Sequence, residues 1–203
     1  MNKEIENYCK SLILEFNLIP SERKVQLQIL QEYLKRKTDN PVNLIFVCTH
    51  NSRRSQFGQI WANVAAEFFN TPNIKSFSCG TEVTSFNRSA ISALTRIGFF
   101  IEKKSDGINP IYSVKYSDLS LPSICFSKKF DHESIPKTNF VSIMTCSEAD
   151  ENCPYLPGSE LRIATKYEDP KISDGTPNEE TKYDFTSREI AREILYTFSK
   201  IKS

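Results

Sequence analysis

With 203 residues, 26 basic against 25 acidic side chains and a formal charge of +1, the chain has no net field to draw it to nucleic acid or to an anionic membrane, so any anion recognition has to be local. No stretch approaches the roughly 20 apolar residues needed to cross a bilayer, and the start MNKEIENYCKSLILEF lacks the basic-then-apolar order of a secretion signal, so a cytoplasmic protein is expected. Six cysteines in a chain of this size without such a signal point to buried, catalytic or redox-active thiols rather than to a disulfide framework.

Residues 1–40 predict an N-terminal helical extension in the form of a hairpin. Ile5, Leu12 and Phe16 recur at helical spacing, Pro20 breaks the run, and Ser21 is placed to cap a second helix whose Val25, Leu27, Ile29, Leu30, Tyr33 and Leu34 form a broad apolar arc. After the linker KRKTDNP, residues 41–203 form the main domain, in which strands and helices alternate. Apolar VNLIFVC (42–48) reads as a strand buried on both faces, 52–70 as a helix with Phe57, Ile60, Trp61, Val64, Ala65 and Phe68 on its apolar side, 74–80 as a second strand, and 87–99 as a helix closed by Gly98. Residues 139–146 and 161–167 supply two more strands and 186–202 a last helix. Alternation of this kind gives an α/β fold, a mostly parallel sheet with helices on both faces. Residues 103–138, with Pro110, Pro122 and Pro136, break the alternation and predict an inserted hairpin or long loop beside the sheet.

The chemistry concentrates in CTHNSRRS, residues 48–55, between the first strand and its helix. A loop that leads into a helix presents free backbone N–H groups at the positive end of the helix dipole, and a tetrahedral oxyanion fits there. Thr49, His50, Asn51, Ser52, Arg53 and Arg54 are therefore the expected oxyanion-binding residues, Arg54 with a planar fork that can hold two oxygens. Cys48 ends the strand at the same spot, where helix dipole and guanidinium both favour a thiolate nucleophile over a thiol. Ser55 is placed to hydrogen-bond the sulfur and Asn51 to pin the loop. A metal site is not expected: the two widely spaced cysteines Cys146 and Cys153, and only two histidines, His50 and His132, make a poor ligand set. No cofactor is expected either, and Cys9, Cys79 and Cys125 read as buried.

The order strand, C-x5-R-S, helix resembles the phosphate loop of the low-molecular-weight protein tyrosine phosphatase superfamily, which includes the thioredoxin-coupled arsenate reductases. The resemblance continues through SFSCGTE after the second strand and EDP near the fourth, and it covers 42 to about 200. It implies a four-stranded parallel sheet of the phosphotyrosine protein phosphatase I type, with Asp169, before Pro170, as the general acid that protonates the leaving oxygen. The segment MTCSEADENCP is similar to the redox loop of the arsenate reductases. This likeness implies a relay in which Cys48 attacks arsenate, Cys146 attacks the Cys48 sulfur and releases arsenite, and Cys153 passes the resulting disulfide on to thioredoxin. Two alternatives stay open: hydrolysis of a phosphate monoester, such as a phosphotyrosine protein, through a cysteinyl phosphate, and a non-catalytic oxyanion or redox sensor. Phosphatases of animals carry aromatic residues after their Asp-Pro, whereas this chain continues KISDGT, a place that Tyr167, or Tyr112 and Tyr116 of the insert, could fill instead. His50 stands where the superfamily loop more commonly has glycine, and Gln59 where potassium-binding arsenate reductases have glutamate.

Overall fold

The computed structural model describes residues 1–37, 40–152 and 156–201. Its centre is a four-stranded, all-parallel sheet in the order β2-β1-β6-β7, from β1 (Val42–Cys48), β2 (Ile74–Gly80), β6 (Phe140–Met144) and β7 (Ser159–Ala164). In β1 the side chains alternate between two apolar clusters, Val42, Leu44 and Phe46 in one and Ile45 and Val47 in the other, which Cys48 joins at the strand's end. A central parallel strand has no wet face, which is why its sequence is an unbroken apolar run.

The larger cluster is covered by α3 (Arg54–Phe68), α4 (Arg88–Ile97) and α6 (Glu179–Ser199). α3 turns Phe57, Ile60, Trp61, Val64 and Ala65 inward, and its Trp61 indole N–H donates to Ser187 on α6 at 3.0 Å. Asn87 caps α4 by accepting from the Ser89 and Ala90 amides, and Gly98 closes it at φ 109°, a left-handed turn that glycine adopts without a Cβ penalty. The smaller cluster joins Phe140 and Met144 of β6 to Ile135, Leu156 and Ala149, the last on the short helix α5 (Ser147–Asn152).

The N-terminal residues form the hairpin of α1 (Lys3–Ile13) and α2 (Ser21–Lys35), joined by a one-turn 3-10 helix, Phe16–Leu18. Ile5, Cys9 and Leu12 of α1 and Leu30, Tyr33 and Leu34 of α2 enter the same apolar cluster as Trp61 and Phe198, each fully buried aliphatic side chain contributing about 1.5–3 kcal/mol. Ser21 does not cap: Pro20 occupies the capping position with extended ψ, so Ser21 falls inside the helix. Val25 and Ile29 stay exposed, which narrows the expected arc.

Three further boundaries differ from expectation. The last helix begins at Glu179, several residues early, and α5 is a helix where only a polar redox segment was anticipated. Residues 103–138 give neither a single hairpin nor a loop. They contribute to a three-stranded antiparallel sheet of β3 (Phe100–Lys103), β4 (Tyr112–Lys115) and β5 (Ser123–Cys125), whose first strand starts before the predicted insert. Its strands are three or four residues long, too short for periodicity to reveal; pairing with neighbours makes them strands. Among the described residues, no helix is long and apolar enough to cross a membrane.

Candidate active site

Cys48 is buried at the carboxyl end of β1, and its Sγ lies 3.1 Å from Ser55 Oγ. The direction of that contact follows from Asn51. The Asn51 carbonyl oxygen Oδ1 accepts from the Lys128 amide at 3.0 Å, which orients the side-chain amide so that Nδ2 donates to Ser55 Oγ at 2.8 Å. Ser55 thus accepts from Asn51 and has its own proton to direct at the sulfur. Asn51 also carries the loop's positive φ, 46°, a conformation asparagine tolerates better than most residues. The glycine-like position is therefore 51 and not 50, and His50 needs no strained backbone. Its Nε2 faces Glu82 at 3.2 Å on the rim.

Arg54, the first residue of α3, is buried. Its Nη1 donates to the Tyr167 carbonyl at 2.9 Å and its Nη2 to Asp169 Oδ2 at 2.5 Å, while Nε is buried with no hydrogen-bond partner among the described residues. A buried donor left over in this way costs about 1–3 kcal/mol, a cost that an oxyanion in the loop would remove. Asp169 follows β7 at the same sheet end, caps the turn Pro170–Ser173 through the Lys171 amide at 3.1 Å, and so is fixed beside Arg54.

The remaining loop residues are divided between the site and its walls. Arg53 was expected to bind oxyanion, but its side chain is committed elsewhere, with Nε donating to the Tyr183 hydroxyl at 2.7 Å and Nη2 pairing with Asp174 at 3.3 Å; Asp169 Oδ1 is 3.9 Å from Nε. Tyr183, on α6, in turn donates its hydroxyl to Asp174 at 2.8 Å, so Arg53, Tyr183 and Asp174 form one network. Ser52 donates to the Ser85 carbonyl at 2.6 Å. Thr49 turns to the other side, where its hydroxyl donates to Glu148 at 2.8 Å and lies 3.6 Å from Cys146 Sγ.

Cys146 reaches the site through strand register. β1 pairs with β6 at Val47↔Met144, so Cys48 lies one residue beyond that pair and Cys146 two, both in the same buried cluster. The Ala149 amide donates to Cys146 Sγ at 3.3 Å. Cys153 lies outside the described residues. By contrast, burial pushes the Cys9 and Cys125 thiols up to about 12, so they stay protonated, and Cys79 is buried under the other end of the loop. Gln59 is occupied, accepting from Ser78 at 2.6 Å and donating to the Ile124 carbonyl at 3.3 Å.

Sequence reasoning did not single out Gly80, whose backbone abuts the loop. A Cβ there would lie 2.6 Å from the Thr49 carbonyl oxygen and 2.8 Å from the Asn51 amide nitrogen. Gly80→Ala is expected to displace the loop, cost about 1–3 kcal/mol and weaken phosphate binding; a melting curve and a phosphate titration measure both, and unchanged values for both would remove this steric role. Tyr183 and Asp174 were missed, as was the part Tyr167 plays through its carbonyl, because what these residues contribute is a backbone carbonyl or a contact across more than 100 residues of sequence.

A parallel sheet in this order, with a C-x5-R-S loop at the carboxyl end of the first strand and an Asp-Pro at the same edge, is the architecture of the low-molecular-weight phosphatases. No family model matches the chain. An arsenate reductase of Staphylococcus aureus (strain Newman) is 30% identical over 128 residues, 63% of this chain and 77% of that protein. The solved structure of an arsenate reductase in the phosphate binding state aligns with a TM-score of 0.52 at 18% identity, covering 79% of this chain and 99% of that one, and an arsenate reductase from Archaeoglobus fulgidus aligns with the same TM-score over 77% and 98%. The chain belongs to the family of these arsenate reductases, within the low-molecular-weight protein tyrosine phosphatase superfamily.

Proposed function

We propose that the protein reduces arsenate to arsenite with electrons supplied by its own cysteines. The Cys48 thiolate attacks the arsenic of arsenate held by the loop and by Arg54; an oxygen leaves as water after taking a proton from Asp169. Cys146 then attacks the Cys48 sulfur. The sulfur–arsenic bond breaks with its electron pair staying on arsenic, so As(V) becomes As(III) and leaves as arsenite, while two thiols become a Cys48–Cys146 disulfide. Cys153 attacks Cys146, freeing the Cys48 thiolate, and the Cys146–Cys153 disulfide is reduced by a thioredoxin-type dithiol in a reducing cytoplasm. That exchange requires α5, six residues between the two thiols, to open.

The observation that carries this assignment is a second buried thiol, Cys146, in the same cluster as the first and 3.6 Å from the hydroxyl of the loop residue Thr49, a feature that ester hydrolysis does not need. One observation favours the runner-up: Cys48, Arg54 and Asp169 alone suffice to hydrolyse a phosphate monoester, phosphotyrosine in a protein included. Purified, reduced protein mixed with arsenate, thioredoxin, thioredoxin reductase and NADPH distinguishes them, with p-nitrophenyl phosphate hydrolysis followed in parallel. Arsenate-dependent NADPH oxidation is expected. Brisk ester hydrolysis without it would assign the phosphatase and leave Cys146 and Cys153 a protective disulfide; inactivity in both assays would favour an oxyanion or redox sensor.

A further inference from the structure

Residues 1–40 lie outside the sequence resemblance to the superfamily, yet one of their side chains reaches the segment that carries the acid. Arg23, on α2, donates from Nη2 to the Lys166 carbonyl at 2.6 Å, lies over the Tyr167 ring at 5.1 Å from its centroid, and sets Nε 3.4 Å from Glu193 on α6. The Tyr167 hydroxyl donates to the other Glu193 oxygen at 2.8 Å. On the far side of the same segment, the Tyr167 carbonyl and the Asp169 carboxylate take the two Nη donors of Arg54.

We infer that Arg23 is a positioning residue for the oxyanion site: with Glu193 it clamps residues 166 and 167 from the N-terminal hairpin, and the clamped segment sets the guanidinium of Arg54 and the carboxyl of Asp169. The inference rests on the assignment of the Cys48 loop as an oxyanion site. Only a planar fork on a long stem can reach a carbonyl, a ring face and a carboxylate together, which a lysine cannot do. The clamp is dry at its Glu193 end, which is 2% exposed, while the Arg23 side chain is 18% exposed. Burial pushes the Glu193 carboxyl up to about 7, opposed by Arg23 and the Tyr167 hydrogen bond, with Glu189 adding to the rise and Arg192 opposing it. Burial also holds the Tyr167 hydroxyl protonated, so it remains a donor. Groups locked this way transmit position well, because a dry, close-packed contact has few alternative arrangements.

The test uses the full chain and two variants. Arg23→Met alone would leave an unpaired buried carboxylate and risk unfolding, so it is combined with Glu193→Gln, which keeps an acceptor for Tyr167. Arg23→Lys keeps the charge but loses the fork. Each protein is melted, titrated with inorganic phosphate by calorimetry, and assayed on p-nitrophenyl phosphate and on phenyl phosphate, whose poorer leaving group depends more on the proton of Asp169. The double variant is expected to melt cooperatively, bind phosphate about tenfold more weakly, and lose roughly 10- to 100-fold in kcat on phenyl phosphate but less on p-nitrophenyl phosphate. Arg23→Lys is expected to recover the melting temperature without recovering the affinity.

A double variant that melts cooperatively with phosphate affinity and both rates unchanged overturns the positioning role, as does full recovery of affinity in Arg23→Lys. If the parent binds phosphate but cleaves neither ester, the affinity comparison decides alone. A parent that binds no phosphate refutes the oxyanion site itself, and this inference with it.

Discussion

Cys48→Ser is expected to abolish arsenate turnover and ester hydrolysis together, by at least about 10⁴-fold, while phosphate still binds. Serine fits the volume, and the supports of residue 48 do not depend on sulfur: Asn51 is oriented by the Lys128 amide, Ser55 by Asn51, and Arg54 by Tyr167 and Asp169. The hydroxyl, however, stays protonated at neutral pH, is a poor nucleophile, and offers no sulfur for a second thiol to attack. The two rates and a phosphate titration check the expectation. Residual activity above about one per cent would assign the nucleophile to another group, and loss of phosphate binding would show that the thiolate is part of the loop's architecture.

Cys146→Ser is expected to separate the two chemistries. Arsenate-dependent NADPH oxidation disappears, because a hydroxyl cannot attack the Cys48 sulfur to form the disulfide that releases arsenite, while ester hydrolysis persists because Cys48, Ser55, Arg54 and Asp169 are untouched. The substitution is mild: the position is buried at the end of β6, and its neighbours, the Thr49 hydroxyl and the Ala149 amide, serve oxygen as well as sulfur. Mass spectrometry of the variant after exposure to arsenate provides a second readout, since an unresolved Cys48 adduct or an unreacted thiol is expected in place of a disulfide. Continued thioredoxin-coupled turnover would sink the relay; loss of ester hydrolysis as well would mean that Cys146 supports the loop and not the electron transfer.

Several elements were legible because their causes are local. β1 and β2 carry uninterrupted apolar or β-prone runs and match their expected bounds, and α4 announces itself by Asn87 at its start and Gly98 at its end. The site's central trio was legible for a related reason: Cys48, Arg54 and Ser55 lie within eight residues, so one strand-to-helix turn brings them together wherever the rest of the chain goes. Asp169 was legible only through the resemblance, since an Asp-Pro is a common turn. Its contact with Arg54 spans 115 residues and depends on where β7 pairs in the sheet.

What the sequence by itself determined is the alternation of strand and helix, the anion loop with its thiol, and the presence of two more cysteines downstream, all properties of short windows governed by periodicity and turn chemistry. Tertiary structure alone decided which loop residue takes positive φ, since the Lys128 amide and Ser55 select Asn51 over His50. It likewise turned Arg53 away toward Tyr183, paired the short strands around Tyr112–Lys115, and laid the N-terminal hairpin against the segment that holds Arg54. The deciding contacts are long-range, Asn51 with Lys128 across 77 residues, Arg53 with Tyr183 across 130 and Arg23 with Lys166 across 143, and only the packed chain brings such groups within hydrogen-bond reach.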